Sequence, residues 1–195
     1  DEEHEEDILR LSGVVMEASV SDNALTTARL RLPWLVVNLF TASLSAVVIT
    51  QFEATIEALV VLAALMPIVA STGGIAGTQS LAVAVRSLAT RSLTPANASR
   101  VVWRELGAGM LNGAGLAVIL GLGGWLIFGD LWLGVVLGMA MICNQIVAAL
   151  GGVLVPLGLN RLGLDPALAS GTFVTTLTDV MGFFAFLGFA TIFLL

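Results

Sequence analysis

Asp179 sits where an acid is least expected. It lies in TFVTTLTDVMGFFAFLGFATIFLL, residues 172–195, an apolar run with no base and no other acid. At helical spacing Thr172, Thr175, Thr176, Asp179 and Gly182 stand three, four and seven residues apart, which puts them on one face. A carboxylate among threonine oxygens, with no Cys, His or Met clustered on it, is a hard-oxygen donor set. Such sets suit Mg2+, Ca2+ or Mn2+ over softer metals. A charge at mid-depth in a membrane helix costs at least about 2.5–3.5 kcal/mol and generally faces a bundle interior or a water-filled path. The alternative is an aspartate paired purely for packing, but no arginine lies at matching depth on any apolar run.

A second candidate is LMPIVASTGGIAGTQSLAVAVR, residues 65–86, where Pro67, Gly73, Gly74 and Gly77 interrupt one hydrophobic run together with Thr72, Thr78 and Gln79. Two readings stay open here. A broken helix at membrane depth lines a cavity and offers carbonyls to an ion. Equally, Gly73 and Gly77, four residues apart, allow close helix packing. Gly109 with Gly113 and Gly134 with Gly138 repeat that spacing, and Asn112, Asn144 and Gln145 read as interhelical hydrogen-bonding residues.

The elements that must position these residues are membrane helices. Of 195 residues 57% are hydrophobic and 11% charged, where a soluble domain carries about 25% charged; mean hydropathy is +1.00. Long apolar runs predict five spans, at about 32–50, 56–85, 105–128, 131–157 and 167–195. Pro95 and Pro166 stand where a following helix begins. All eight basic residues are arginines (Arg10, Arg29, Arg31, Arg86, Arg91, Arg100, Arg104 and Arg161), and five spans place every one on the same side. The opposite connections hold Glu53, Glu57 and Asp130. Basic loops mark the cytoplasmic face, so the expected orientation is N-terminus inside and C-terminus outside, multi-pass in the cell (inner) membrane.

Residues 1–30 are expected to form an acidic cytoplasmic leader and a membrane-proximal helical segment, followed by a five-helix membrane domain over 31–195. Six of the 14 acids fall in the first seven residues, around the single histidine, His4; that run reads as a solvated segment. The opening DEEHEEDILR has neither Met nor a basic and apolar leader, and a missing upstream part is expected. Cys143 is alone in an apolar run, a small packing residue and no disulfide framework. No catalytic triad, zinc spacing, phosphate loop or basic–aromatic patch is visible, so neither enzyme activity nor nucleic-acid binding is expected. One membrane carboxylate per chain becomes two in a two-fold dimer, and Mg2+ keeps most of its waters and binds through one or two carboxylates. The residues therefore point to a divalent-cation path at a dimer axis. An ion-coupled transporter of another divalent metal or small solute, and a non-conducting membrane scaffold, remain the rival classes.

LPWLVVNL, LMPIVASTGGIAGTQSLAVAVRSLA, GLDPALASGTFVTTLTDVMGFFAFLGFATIFLL and the leader EEDILRLSGV resemble the membrane domain of the MgtE family of magnesium transporters, across essentially the whole chain. The resemblance implies an all-α homodimer with five membrane helices per subunit. It also implies inward conduction of largely hydrated Mg2+ (with Mn2+, Co2+ or Ca2+ as other cargo) through a pore lined by the second and fifth helices. Asp179 would be the central ion-binding aspartate, with Thr175 and Thr176 as further metal-facing oxygens. Thr172, Gly182, Thr72, Gly73, Gly74, Gly77, Thr78 and Gln79 would line the pore. The family's cytosolic Mg2+-sensing domains have no counterpart here beyond the acidic leader. Where the family commonly reads GGNxGxQ, this chain has Ile75 in place of the polar amide, at a position expected to face the pore.

Overall fold

The computed structural model describes residues 23–94 and 96–195, the side chains of 167–170 excepted; the acidic leader and Pro95 lie outside the described residues. Among the described residues six helices follow in order: α1 Ala24–Gln51, α2 Glu53–Ala58, α3 Val61–Ala89, α4 Ala98–Phe128, α5 Leu131–Arg161 and α6 Pro166–Phe193. Among the described residues there is no strand. Five of these described helices, all but the short α2, are long and apolar enough to cross a membrane. Hydrocarbon forces this outcome, because each backbone polar group there must be satisfied within its own segment.

Local chemistry sets the ends. The Asn23 side chain accepts from the Thr26 N–H and starts α1. From there α1 runs unbroken through residues 30 and 31, so residues 24–30 at the end of the expected membrane-proximal segment are part of the first spanning helix. Gly129, at φ 71°, closes α4 in a left-handed turn, and the next residue, Asp130, caps α5 by accepting from Trp132 and Leu133. A two-residue GD connection thus reverses the chain. Pro166 opens α6, at the helix start where its missing N–H costs nothing.

The expected second span divides. Residues 53–58 form the separate α2, tied to α6 by a 2.8 Å hydrogen bond between Thr55 and Thr191. The glycine-rich run expected to be broken or closely packed is one continuous helix, α3, through Pro67, Gly73, Gly74 and Gly77. The broken-helix reading is therefore corrected in favour of packing. Helix α5 is central, packed on α3, α4 and α6, while α1 rests on α6. Leu62, Met66 and Val69 of α3, Val136, Leu137 and Met141 of α5, and Phe186 and Leu187 of α6 form one buried cluster. Glycines let the axes approach. A methyl on Gly113 would meet the Ile142 Cα at 3.0 Å, and one on Gly152 would meet the Gly77 carbonyl at 2.8 Å. Contacts such as Gly113 with Ile142 and Gly121 with Gly134 make α4 antiparallel to α5, while Gly73 with Asn144 and Gly77 with Gly152 make α3 parallel to it. Arg29, Arg31, Arg86, Arg100, Arg104 and Arg161 consequently gather at one end of the bundle.

Candidate functional site

Asp179 occupies the middle of α6, with residues 166–178 before it and 180–193 after it. It is half-buried, and among the described residues its carboxylate forms no hydrogen bond or ion pair. One turn earlier, Thr175 lies against α3, its methyl 3.9 Å from where a side chain on Gly74 would begin. Asp179 follows Thr175 one turn later on the same face of α6.

The threonines direct their protons inward. The Thr175 hydroxyl donates to the carbonyls of Gly171 at 3.0 Å and Thr172 at 3.1 Å, and Thr176 donates to Thr172 at 2.7 Å. Each hydroxyl spends its single hydrogen on its own helix, leaving oxygen lone pairs as the outward chemistry. That polarity suits a cation or the water around one. Thr172, Thr175 and Thr176 are all partly exposed beside Asp179. Thr178, which sequence reasoning did not select, is fully buried and donates to the Thr175 carbonyl at 2.9 Å.

Gly182 leaves this group. It is buried, and a side chain there would begin 2.8 Å from the Asn144 Nδ2. Gly73 faces the same amide from α3, its Cβ position 2.7 Å from the Asn144 Cγ. Asn144 therefore fills the space that two glycines vacate on either side of it, and its Nδ2 donates to the Val69 carbonyl at 2.8 Å. Its Oδ1 is buried without a partner among the described residues. Gly77 is likewise buried, against Val174 of α6. Gly73, Gly77 and Gly182 are thus the packing that holds α3, α5 and α6 together behind Asp179; Gly77 also meets the buried Thr178, and Gly74 meets the part-exposed Thr175.

Of the remaining α3 candidates, Thr72 and Gln79 turn toward α4, whereas Thr78 stands four residues on from Gly74 and shares its face. Ile75, one residue and about 100° on from Gly74, is 58% exposed and borders a cavity of ≈ 500 Å³ between α3 and α4 with Thr72, Gln79, Asn112 and Gln145. It stands beside the Asp179 face rather than on it. The Thr72 and Thr78 hydroxyls bond to the carbonyls of Ile68 and Ile75 in their own helix. Sequence reasoning missed Glu105, whose Oε2 accepts from the Ser80 hydroxyl at 3.0 Å and whose Oε1 pairs with Arg104 at 2.8 Å. Its place near the arginine end of α4 was the available signal.

A hard-oxygen face on a membrane helix agrees with what this chain resembles. Residues 66–189 match the MgtE family model, described as a divalent cation transporter. The chain is 40% identical over its whole length to a magnesium transporter MgtE of Enterococcus faecalis, 32% identical over 98% of its length to one of Bacillus subtilis, and 36% identical over 97% to one of Thermus thermophilus. It spans 43%, 43% and 42% of those three relatives. With the family model matched over well over half of its residues, from α3 through α6, the chain belongs to the MgtE family.

Proposed function

We propose that residues 31–195 form the membrane part of a magnesium channel, conducting largely hydrated Mg2+ inward through a pore at a homodimer interface. The observation that carries this reading is Asp179: a half-exposed carboxylate at the middle of α6, unpartnered among the described residues and flanked by threonines whose hydroxyl protons are already used. A single protomer leaves that charge uncompensated at a depth where charges are expensive. Two protomers related by a two-fold axis bring two carboxylates to one place, where a divalent cation neutralises both. Mg2+ dehydrates reluctantly, so the carboxylates and the outward lone pairs of Thr175 and Thr176 receive hydrogen bonds from its water shell. Acidic side chains facing a pore select cations in this way. The relatives are magnesium transporters by name, which favours Mg2+ as cargo over Mn2+, Co2+ or Ca2+.

The arginine-bearing end is assigned to the cytoplasm by the positive-inside rule, which sends the C-terminus outside. The relatives' greater length leaves room for cytosolic sensing domains joined ahead of this segment. Because conduction is driven by concentration and voltage alone, Mg2+ influx into liposomes should follow an imposed inside-negative potential and ignore an imposed proton gradient. Influx that requires the proton gradient replaces the channel with a coupled transporter.

A further inference from the structure

The α3–α4 side of the protomer carries polar groups that the Asp179 face does not use. Two adjoining cavities lie there, ≈ 500 Å³ and ≈ 170 Å³, and both are bordered by Gln79, Asn112 and Gln145. The smaller one ends on Glu105 and Ser80, toward the arginine end of the bundle. Asn112 lies at the middle of α4, Ala98–Phe128, so this polar track reaches mid-depth. Gln79 and Asn112 are exposed amides with no partner among the described residues. Gln145 is 2% exposed and gives its Nε2 a long 3.5 Å contact to the Thr72 carbonyl, leaving the amide oxygen without a partner among the described residues. Acyl chains cannot satisfy such groups, so water or a hydrated solute fills the track.

The charge pattern selects a cation. Glu105 is the one carboxylate of the track, its side chain 14% exposed, and its partner Arg104 is 62% exposed. A partner that exposed swings away at little cost, since surface ion pairs contribute little. Amide oxygens, the Ser80 hydroxyl and one carboxylate are the ligands a cation retaining most of its waters requires. A six-water shell occupies about 180 Å³ at about 30 Å³ per water, comparable with the ≈ 170 Å³ cavity that Glu105 borders, and the larger cavity adjoins it through the shared amides.

We infer that Glu105, with the amides of Gln79, Asn112 and Gln145, forms a second hydrated divalent-cation site in each protomer, separate from Asp179 and near the arginine end. It goes beyond the pore reading and stands without it. The test is Mn2+ binding, followed by electron paramagnetic resonance, to the full chain in lipid nanodiscs on an Asp179→Ala background, which removes the pore carboxylate. One Mn2+ per protomer remains, displaced by Mg2+, and adding Glu105→Gln weakens it at least about tenfold. Arg104→Gln, which removes the competing cation, tightens it. Should Glu105→Gln fail to fold, Asn112→Leu decides, because the Asn112 side chain has no partner among the described residues to lose, and it too weakens binding. Unchanged Mn2+ affinity in either variant, or no Glu105-dependent site on the Asp179→Ala background, overturns the inference. The pore reading is judged separately, by whether Asp179→Ala conducts.

Discussion

At the residue scale, Asn144 and its two glycines set the geometry behind Asp179. Gly73 and Gly182 approach the same amide from opposite helices, so a methyl on either has nowhere to go. Overpacking of this kind costs about 1–3 kcal/mol. Gly73→Ala and Gly182→Ala should therefore lower thermal stability in nanodiscs, and Asn144→Ala, which shortens the shared obstacle, should recover part of the loss in the double variants. No recovery would mean that the glycines answer to something other than Asn144. Asp179 and its threonines were legible in the sequence because a charge in an apolar run costs enough to demand a use, and helical spacing then names its neighbours. The interhelical hydrogen bond of Asn144 was legible, but not its place between two glycines. Spacing within one helix does not say which face another helix covers, so a buried wedge and a pore-facing amide look alike until α3 and α6 are placed beside α5.

At the element scale, glycine means different things in different helices. A methyl on Gly77 would meet the Val174 Cγ1 at 2.6 Å, whereas one on Gly107 or Gly123 of α4 would have nothing within 4 Å. Gly77→Ala should destabilise by about 1–3 kcal/mol. Gly107→Ala and Gly123→Ala should be neutral or gain up to about 1 kcal/mol from helix propensity. Unfolding midpoints across the three variants check this, and equal losses at all three positions would refute it. The five spanning helices were readable from apolar run length, since the bilayer fixes that length. The intact α3 was not, because glycines that break a helix and glycines that seat one against another are the same letters. Only the close approaches to Asn144, Val174 and Gly152 separate the two readings.

At the scale of the whole molecule, the arginines of the described helices mark one end, and Glu53, Glu57 and Asp130 the other. In a Cys143→Ser background, Ala54→Cys should react with a membrane-impermeant thiol reagent on intact cells, and Ala89→Cys only after lysis. The reverse pattern would invert the proposed orientation. A cation shared between two carboxylates, as proposed, would also tie ligand binding to stability. Mg2+ at about 100 times the pore site's dissociation constant should add about 2.7 kcal/mol through that site, read as a rise in unfolding temperature of which the pore site's share is lost in Asp179→Ala.

The central claim is that Asp179 holds the conducted ion. Mg2+ influx into liposomes under an inside-negative potential, comparing the unaltered chain with Asp179→Ala that elutes and unfolds as a normal assembly, tests it most directly. The account predicts influx through the former and none above empty liposomes through the latter; undiminished influx through Asp179→Ala would contradict it.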